Sequence, residues 1–285
     1  MQRFLFNSLY IFLFFGFFSC ASDTESGDIL FENNPLKNHY QIHSFSNETH
    51  LIELYARDTS LYEGYNDVLL RIKDINDEYI SYADLEWEVE TDEGITGPIA
   101  KINRSVDNPD VYTSFLIFPK NTYDKIWNLH IIYKIQSTTY EATTNLEIRK
   151  PNSNRITILE ETGLDNKDYL LTLIDPYSPI AGHNNCSMIV FEQLSSTEFV
   201  AREDLFIHVW NSSGDYIQDD IVEIPFRANT NKYQGKIEIP GTGLWRLNLF
   251  VKNESGSVIL GEEKSANHQT SSLHFPLNTE PINNL

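Results

Sequence analysis

The chain has 285 residues, of which 41% are hydrophobic and 13% aromatic, a composition typical of folded proteins rather than disordered ones. Its 41 Asp and Glu residues outnumber its 21 Lys and Arg residues, which gives a formal net charge of -20. This charge argues against nucleic acid as a partner, because phosphate binding needs a basic surface. Two cysteines, Cys20 and Cys186, are too few for a fold held together by disulfides, so hydrophobic cores must stabilise the protein.

The N-terminal segment predicts export across a membrane. A basic residue, Arg3, precedes a stretch over residues 4–18 that is almost wholly apolar. A helix of this length spans only about 22 Å, whereas the hydrocarbon core of a bilayer is about 30 Å thick. Residues 1–19 are therefore predicted to be a signal peptide rather than a membrane-spanning helix.

The predicted signal peptide ends in Phe17-Phe18-Ser19-Cys20, which resembles the lipobox of bacterial lipoproteins. The resemblance implies that Cys20 becomes the lipidated N-terminus, so residues 20–48 are interpreted as a lipidated cysteine followed by a polar tether. Acidic residues just after Cys20 resemble a surface-export signal of Bacteroidota-type lipoproteins. The implied location is the outer membrane of the cell envelope, on its periplasmic or its surface side. The alternative is an ordinary signal peptide followed by an incidental cysteine.

The body of the chain alternates apolar and polar residues over short stretches separated by turn residues. This pattern is typical of β-strands, and three examples are Val68-Leu69-Leu70-Arg71-Ile72, Leu85-Glu86-Trp87-Glu88-Val89 and Leu247-Asn248-Leu249-Phe250-Val251. Hairpin turns are predicted at residues 76–78, 211–214 and 253–256. No window shows the period of an amphipathic helix, so the body is predicted to be all-β.

The body also contains an internal duplication. Three blocks occur in the same order in both halves: Gly64-Tyr65-Asn66 with Gly182-His183-Asn184, residues 112–119 with 233–240, and Trp127-Asn128-Leu129 with Trp245-Arg246-Leu247. The first glycine and the tryptophan are 63 positions apart in each half. Equal spacing of three blocks indicates two copies of one structural unit.

Each half holds about seven predicted strands in about 100 residues, the size and rhythm of an immunoglobulin-like β-sandwich. The predicted fold is therefore two tandem immunoglobulin-like β-sandwiches, over residues 49–150 and 165–264. Residues 151–164 are predicted to be a linker and residues 265–285 a polar tail. An Asp or Asn lies two positions before Tyr112 and Tyr233, as in a tyrosine corner, so both hydroxyls are expected to bond to nearby backbone.

These blocks resemble the YtkA-like domain family, which is related to FixH-like proteins. The second half matches best, through Tyr233-Gln234-Gly235-Lys236-Ile237, Gly243-Leu244-Trp245-Arg246-Leu247 and Gly256-Ser257-Val258-Ile259, and the first half is a divergent copy. The resemblance covers about residues 50–265 and implies a non-enzymatic, extracytoplasmic, immunoglobulin-like domain. Some members handle copper through a segment rich in Met and His. Neither half of this chain has methionine in that segment, although His208 falls within it.

One group of soft metal ligands remains in the sequence. It consists of His183, Cys186 and Met188, with His208 as a fourth candidate, and thiol, thioether and imidazole groups suit Cu(I). The matching first-half positions of Cys186 and Met188 are Val68 and Leu70, which favours core packing instead. Two interpretations of this strand therefore remain: its side chains bind copper, or they are buried in the hydrophobic core.

No nucleophile elbow, zinc-protease helix or phosphate-binding loop occurs in the sequence, so no catalytic residue is predicted. The leading hypothesis is a lipid-anchored, non-enzymatic envelope protein that acts as a binding or scaffold module. Its partners would be the membrane, through the anchor, and another envelope protein. The alternatives are an extracytoplasmic copper-handling protein and an enzyme acting on an envelope polymer.

Overall fold

The computed structural model describes residues 36–153 and 155–279, and every regular element in these two ranges is a β-strand. The predicted all-β class is therefore confirmed. The predicted signal peptide and the lipidation site Cys20 lie outside the described residues.

The first half forms a sandwich of two sheets and contains ten strands. They are β1 (Tyr40–Ser46), β2 (Leu51–Ala56), β3 (Leu61–Tyr62), β4 (Gly64–Lys73), β5 (Ala83–Thr91), β6 (Asn103–Arg104), β7 (Tyr112–Phe118), β8 (Trp127–Ile135), β9 (Thr138–Leu146) and β10 (Ile148–Arg149). One sheet has the order β1-β2-β4-β7-β6 and the other β5-β8-β9, and β3 pairs with β10 in parallel. Side chains from both sheets form one buried core that includes Leu70, Trp87 and Trp127.

The second half repeats this sandwich with twelve strands. They are β11 (Ile158–Thr162), β12 (Asp168–Asp175), β13 (Gly182–Gln193), β14 (Phe199–Ala201), β15 (Phe206–Ser213), β16 (Tyr216–Ile217), β17 (Val222–Ile224), β18 (Phe226–Arg227), β19 (Lys232–Ile239), β20 (Leu244–Lys252), β21 (Val258–Gly261) and β22 (His274–Asn278). Its sheets have the orders β11-β12-β13-β19-β18 and β16-β15-β20-β21. Strands β14, β17 and β22 add to the edges of β13, β15 and β20.

Period-2 patterning explains how these strands form. In β5 the residues alternate strictly between buried and exposed, so that Leu85, Trp87 and Val89 enter the core while the glutamates between them face solvent. In β13 successive side chains also point to opposite faces, but both faces are buried: Cys186, Met188 and Val190 lie in the second core, whereas Ile189 and Phe191 belong to a separate apolar cluster.

The duplication extends to individual hydrogen bonds at the start of β4 and β13. The Asn66 side chain bonds the backbone N–H of Tyr62 at 2.9 Å and its carbonyl at 2.7 Å. The Asn184 side chain makes the same two bonds to Ile180, at 2.9 and 2.7 Å. The two copies inferred from sequence spacing thus have the same pair of asparagine hydrogen bonds at the same place.

The two repeated tyrosines also have equivalent bonds. The Tyr112 hydroxyl donates to the Ile80 carbonyl and accepts from the Ala83 N–H, both at 2.9 Å. The Tyr233 hydroxyl donates to the Arg202 carbonyl at 3.0 Å and accepts from the Leu205 N–H at 3.1 Å. The expected backbone bonds exist, but their partners are about thirty positions upstream rather than nearby. Each hydroxyl therefore ties one sheet to the turn that leads into the other sheet.

Both sandwiches extend beyond the expected boundaries. Strand β1 lies within the expected tether 20–48, β11 within the expected linker 151–164, and β22 within the expected tail 265–285. Strand β1 is hard to detect because all of its residues are exposed or half-buried, and its position is fixed by pairing with β2 rather than by its own hydrophobicity. Strand β22 contains Pro276, but its Phe275 and Leu277 are core residues that pair alongside β20.

Candidate functional site

The two sandwiches contact each other through an apolar interface. In β7, Leu116 and Phe118 point into the first core, so Ile117 lies on the opposite face of the sheet. It packs against residues that lie outside the second core: Ile158, Leu170, Ile174, Ile189 and Phe191. Tyr65, Phe115 and Phe199 pack at the margin of this cluster. The described residues accordingly fall into a single compact unit that contains both sandwiches.

Polar bonds cross the same interface. The Tyr65 N–H donates to the Thr157 hydroxyl at 3.1 Å, and the Lys120 N–H donates to the Glu160 carboxylate at 2.7 Å. Burial raises the pKa of Glu160, because the charged carboxylate loses water at the interface. The residues expected to act as a linker therefore help to fasten the second sandwich onto the first.

At Gly64 the backbone of the first sandwich lies very close to the second sandwich, whereas its counterpart Gly182 has open space around it. Both residues have positive φ angles, +94° and +101°, which glycine alone adopts without strain. A Cβ atom on Gly64 would overlap the Thr157 hydroxyl, whereas a Cβ on Gly182 would meet nothing within 4 Å.

Gly64→Ala is therefore expected to lower the free energy of unfolding more than Gly182→Ala. Each substitution has a conformational cost of about 1–2 kcal/mol, and only Gly64→Ala adds the clash with Thr157. Urea denaturation of the two variants measures the difference, and equal losses would mean that the Thr157 side chain moves aside at no cost.

A cleft of about 620 Å³ opens where the two sandwiches meet. The first half contributes some of residues 58–66 to its lining, and the connecting segment contributes some of residues 151–157. The second half contributes some of residues 173–181 together with residues 276–279. Tyr62, Tyr65 and Tyr177 give the cleft an aromatic wall, and Ile180 remains 59% exposed at its rim. Such junctions between domains are common places for ligand sites.

The charged groups of the cleft are held by bonds within the protein. Arg155 forms a bidentate pair with Asp58, and its guanidinium lies 4.7 Å from the centre of the Tyr177 ring. Arg57 approaches the same ring at 5.2 Å, so two guanidinium groups flank Tyr177. A planar cation stacked on an aromatic ring is fixed in orientation, which makes this wall of the cleft preorganised.

Glu63 is the buried carboxylate of the cleft, with 6% of its surface exposed. One of its oxygens accepts the N–H groups of Thr122 at 2.7 Å and Tyr123 at 3.1 Å. A carboxylate that accepts from two backbone donors stabilises the loop that carries them. The cleft therefore offers a shaped surface for binding.

The four candidate metal ligands do not come together. Cys186 and Met188 are 1% and 0% exposed and belong to the second core, and burial raises the pKa of Cys186 to about 12. His183 is exposed on the opposite face of β13. His208 lies on β15 in the other sheet, where its ring stacks on Phe250 at 4.5 Å.

The geometry around these four residues matches the core-packing interpretation of Cys186 and Met188. Metal binding needs the thiolate, and a buried thiol with a raised pKa resists losing its proton. Over residues 36–153 and 155–279, no group of three or more His, Cys, Asp or Glu side chains is arranged to hold a metal ion. In the same ranges, no helix has the length and hydrophobicity required to span a membrane.

The cleft residues were not among the sequence-based candidates. Arg155 lies within the segment interpreted as a linker, and Tyr177 lies in Asp175-Pro176-Tyr177-Ser178-Pro179, which is easily interpreted as a loop. Two prolines, Pro176 and Pro179, on either side of a tyrosine were the available signal. This signal could not show that the segment faces the first sandwich.

Comparisons with known proteins give limited similarity. No protein-family model matches the chain, and no curated protein matches it. Among solved structures, the adhesin FdeC of Escherichia coli is 12% identical with a TM-score of 0.24, and the match covers 83% of this chain and 65% of the adhesin chain. A DUF4785 family protein from Legionella pneumophila is 8% identical with a TM-score of 0.27, covering 81% of this chain and 56% of that one.

A third similar structure is an endo-fucoidan hydrolase of glycoside hydrolase family 107, at 11% identity and a TM-score of 0.22. That match covers 78% of this chain and 43% of the hydrolase. The chain thus spans less than two thirds of the length of each of these three chains. Similarity at such TM-scores carries no information about what this chain binds or does.

Proposed function

We propose that this chain is a lipid-anchored, non-enzymatic protein of the cell envelope that acts as a binding or scaffold module. The observation that carries the proposal is the cleft between the packed sandwiches, whose charged groups are already bonded within the protein. Arg155 is paired with Asp58, and Glu63 caps two backbone N–H groups. A cleft built in this way is suited to hold a ligand by shape and aromatic contact rather than to transform it.

The proposed anchor is a lipid on Cys20. Its support is the lipobox-like Phe17-Phe18-Ser19-Cys20 and the acidic residues that follow, which together favour the outer membrane. The strongly acidic body would be repelled by anionic lipids, so attachment must be covalent or hydrophobic, and a lipid on Cys20 would supply it. Another envelope protein is the proposed partner.

The relation to YtkA-like domains is proposed for architecture rather than for copper handling. The equivalent side-chain hydrogen bonds of Asn66 and Asn184 support descent from one duplicated unit. The core positions of Cys186 and Met188 give no support to a soft-metal site on that strand.

Metabolic labelling with a fatty-acid analogue tests the anchor. In bacteria that express the full gene, the parent and Cys186→Ala are expected to carry the label and fractionate with membranes. Cys20→Ala is expected to lose both properties. Since these are the chain's two cysteines, Cys186→Ala is a matched control. Labelling that survives Cys20→Ala would remove the anchor from the proposal.

The non-enzymatic part of the proposal has its own test. The purified protein is expected to be inert towards a panel of envelope polysaccharides and peptides. Hydrolysis of any of them that falls with Glu63→Gln or Arg155→Ala would show that the cleft is catalytic and would overturn this part of the proposal.

A further inference from the structure

The duplication allows each edge strand to be compared with its counterpart. Strand β5 of the first sandwich corresponds to β15 of the second, because β5 pairs with β8 as β15 pairs with β20. The free side of β15 is occupied by β16 and β17, with Ile207, His208 and Val209 opposite β17. Among the described strands, β5 has β8 as its single partner.

The segment that follows β5 takes a different route from the segment that follows β15, and this difference explains why one edge of β5 is unpaired. In the second sandwich, residues 222–224 first pair with β15, and residues 226–227 then pair with β19. In the first sandwich, Thr96 bridges to Glu90 near the end of β5, and Ile99 already bridges to Leu116 of β7. The segment therefore crosses early to the other sheet and leaves most of the β5 edge uncovered.

A groove of about 1070 Å³ lies beside this uncovered edge. One wall is β5, with Leu85 and Trp87, and the other is the crossing segment, including Ile99 and Ile102. The crossing segment also contributes two basic residues, Lys101 and Arg104, and the Arg104 guanidinium donates to the Ser81 carbonyl at 2.9 Å. The Trp87 indole N–H donates to the Ala100 carbonyl at 3.0 Å and links the two walls at the bottom. The groove thus occupies the place that β17 fills in the second sandwich.

The charges along β5 indicate what kind of strand would fit. In the second sandwich, His208 of β15 faces Glu223 of β17, with 3.9 Å between the imidazole Nε2 and a carboxylate oxygen. When the β8 residues that face β5 are aligned with the β20 residues that face β15, Glu86 takes the position of His208. The charge at this position is therefore reversed, and an added strand would need a basic residue where β17 has Glu223.

The neighbouring outward positions of β5 strengthen this preference. Asp84, Glu86, Glu88 and Glu90 are all exposed on one face. Asp84 is opposite Lys134 and Glu88 is 3.7 Å from the His130 ring, but Glu86 is opposite the apolar Ile132. A second copy of the chain would present the same acidic row, and charge repulsion disfavours it.

We propose that the free edge of β5 binds an extended basic segment of another protein as an added β-strand. Backbone bonds would hold the segment, apolar side chains would enter the groove beside Leu85 and Trp87, and Lys or Arg would face Glu86 and Glu88. The proposal rests on the binding function proposed above and supplies the surface and the partner chemistry. Exposed charges also protect sheet edges against pairing, so the test must separate binding from protection.

The test is a fluorescence-anisotropy titration of the purified protein with a labelled nine-residue peptide of alternating Lys and Val, at about 0.15 M salt. Reversing two facing charges by Glu86→Lys with Glu88→Lys is expected to weaken binding about tenfold or more. The control, Glu198→Lys with Glu254→Lys, makes the same charge change at exposed sites of the second sandwich and is expected to change binding less than twofold. N-methylation of alternate peptide residues is expected to abolish binding, because an added strand needs its N–H groups.

Hydrogen exchange gives the location: the amides of Leu85 and Trp87, which point to the free edge, are expected to become protected when the peptide binds, because the Ala83 N–H is already bonded to Tyr112 and the alternate amides face β8. Equal weakening by both double substitutions would show attraction to the acidic surface in general and would overturn the proposal. Undiminished binding of the N-methylated peptide, or absence of binding, would do the same. Those results would leave the Cys20 labelling experiment unaffected, whereas unlabelled Cys20 would contradict the anchor whatever the peptide does.

Discussion

Ile117→Asp is expected to lower the free energy of unfolding by about 3–5 kcal/mol and to divide one unfolding transition into two. Ile117 is 2% exposed and packs on an apolar surface of the second sandwich, including Ile158 and Ile189. A carboxylate at this place would be buried without a partner, and separation of the sandwiches is the simplest way to hydrate it. Differential scanning calorimetry would record a single endotherm for the parent and two for the variant.

Ile75→Asp is the matched control, because it makes the same chemical change at a side chain that is 82% exposed. It is expected to shift stability by less than about 0.5 kcal/mol and to keep one endotherm. If both variants unfold like the parent, the contact between the sandwiches contributes nothing to their stability.

Tyr112→Phe and Tyr233→Phe are each expected to lower the free energy of unfolding by about 1–3 kcal/mol. Each substitution keeps the buried ring and removes a hydroxyl that bonds both a carbonyl and an N–H of the other segment. The two backbone groups would lose their partner in places where water has little access. Urea denaturation followed by tryptophan fluorescence measures the loss.

Because the two tyrosines hold equivalent positions in the duplication, their losses are expected to be similar. Tyr82→Phe, at a side chain that is 58% exposed, is the control and is expected to be nearly neutral. Losses no larger than that of the control would mean that the hydroxyls are dispensable and that the rings alone matter.

Much of the fold follows from the sequence because strand patterning and duplication are local, repeated signals. The alternation in β5 predicted which of its residues are buried, and the spacing from Gly64 to Trp127 predicted the second copy. Comparison of Cys186 with Val68 favoured a core position, which is where the cysteine lies. An aligned internal copy is a strong constraint, since both copies must bury the same faces.

The interface and the cleft could not be predicted from the sequence, because they are formed by the sheet faces that point away from each core. Ile117 and Ile189 look like ordinary outward residues of half-buried strands, and nothing local shows that two such faces meet. The edge strands β1 and β22 were missed for a related reason, since their register is set by β2 and β20. Long-range contact, rather than propensity, decided these elements.

The proposed binding cleft exists only if the two sandwiches behave as one unit. Pulsed electron paramagnetic resonance between spin labels at Ile75→Cys and Glu254→Cys measures this directly, with Cys20 replaced by serine. Cys186 can remain, because it is 1% exposed and its raised pKa keeps it unreactive. Two sandwiches packed as one unit are expected to give one narrow distance distribution. A broad distribution would show that they move independently and would contradict a binding cleft formed between them.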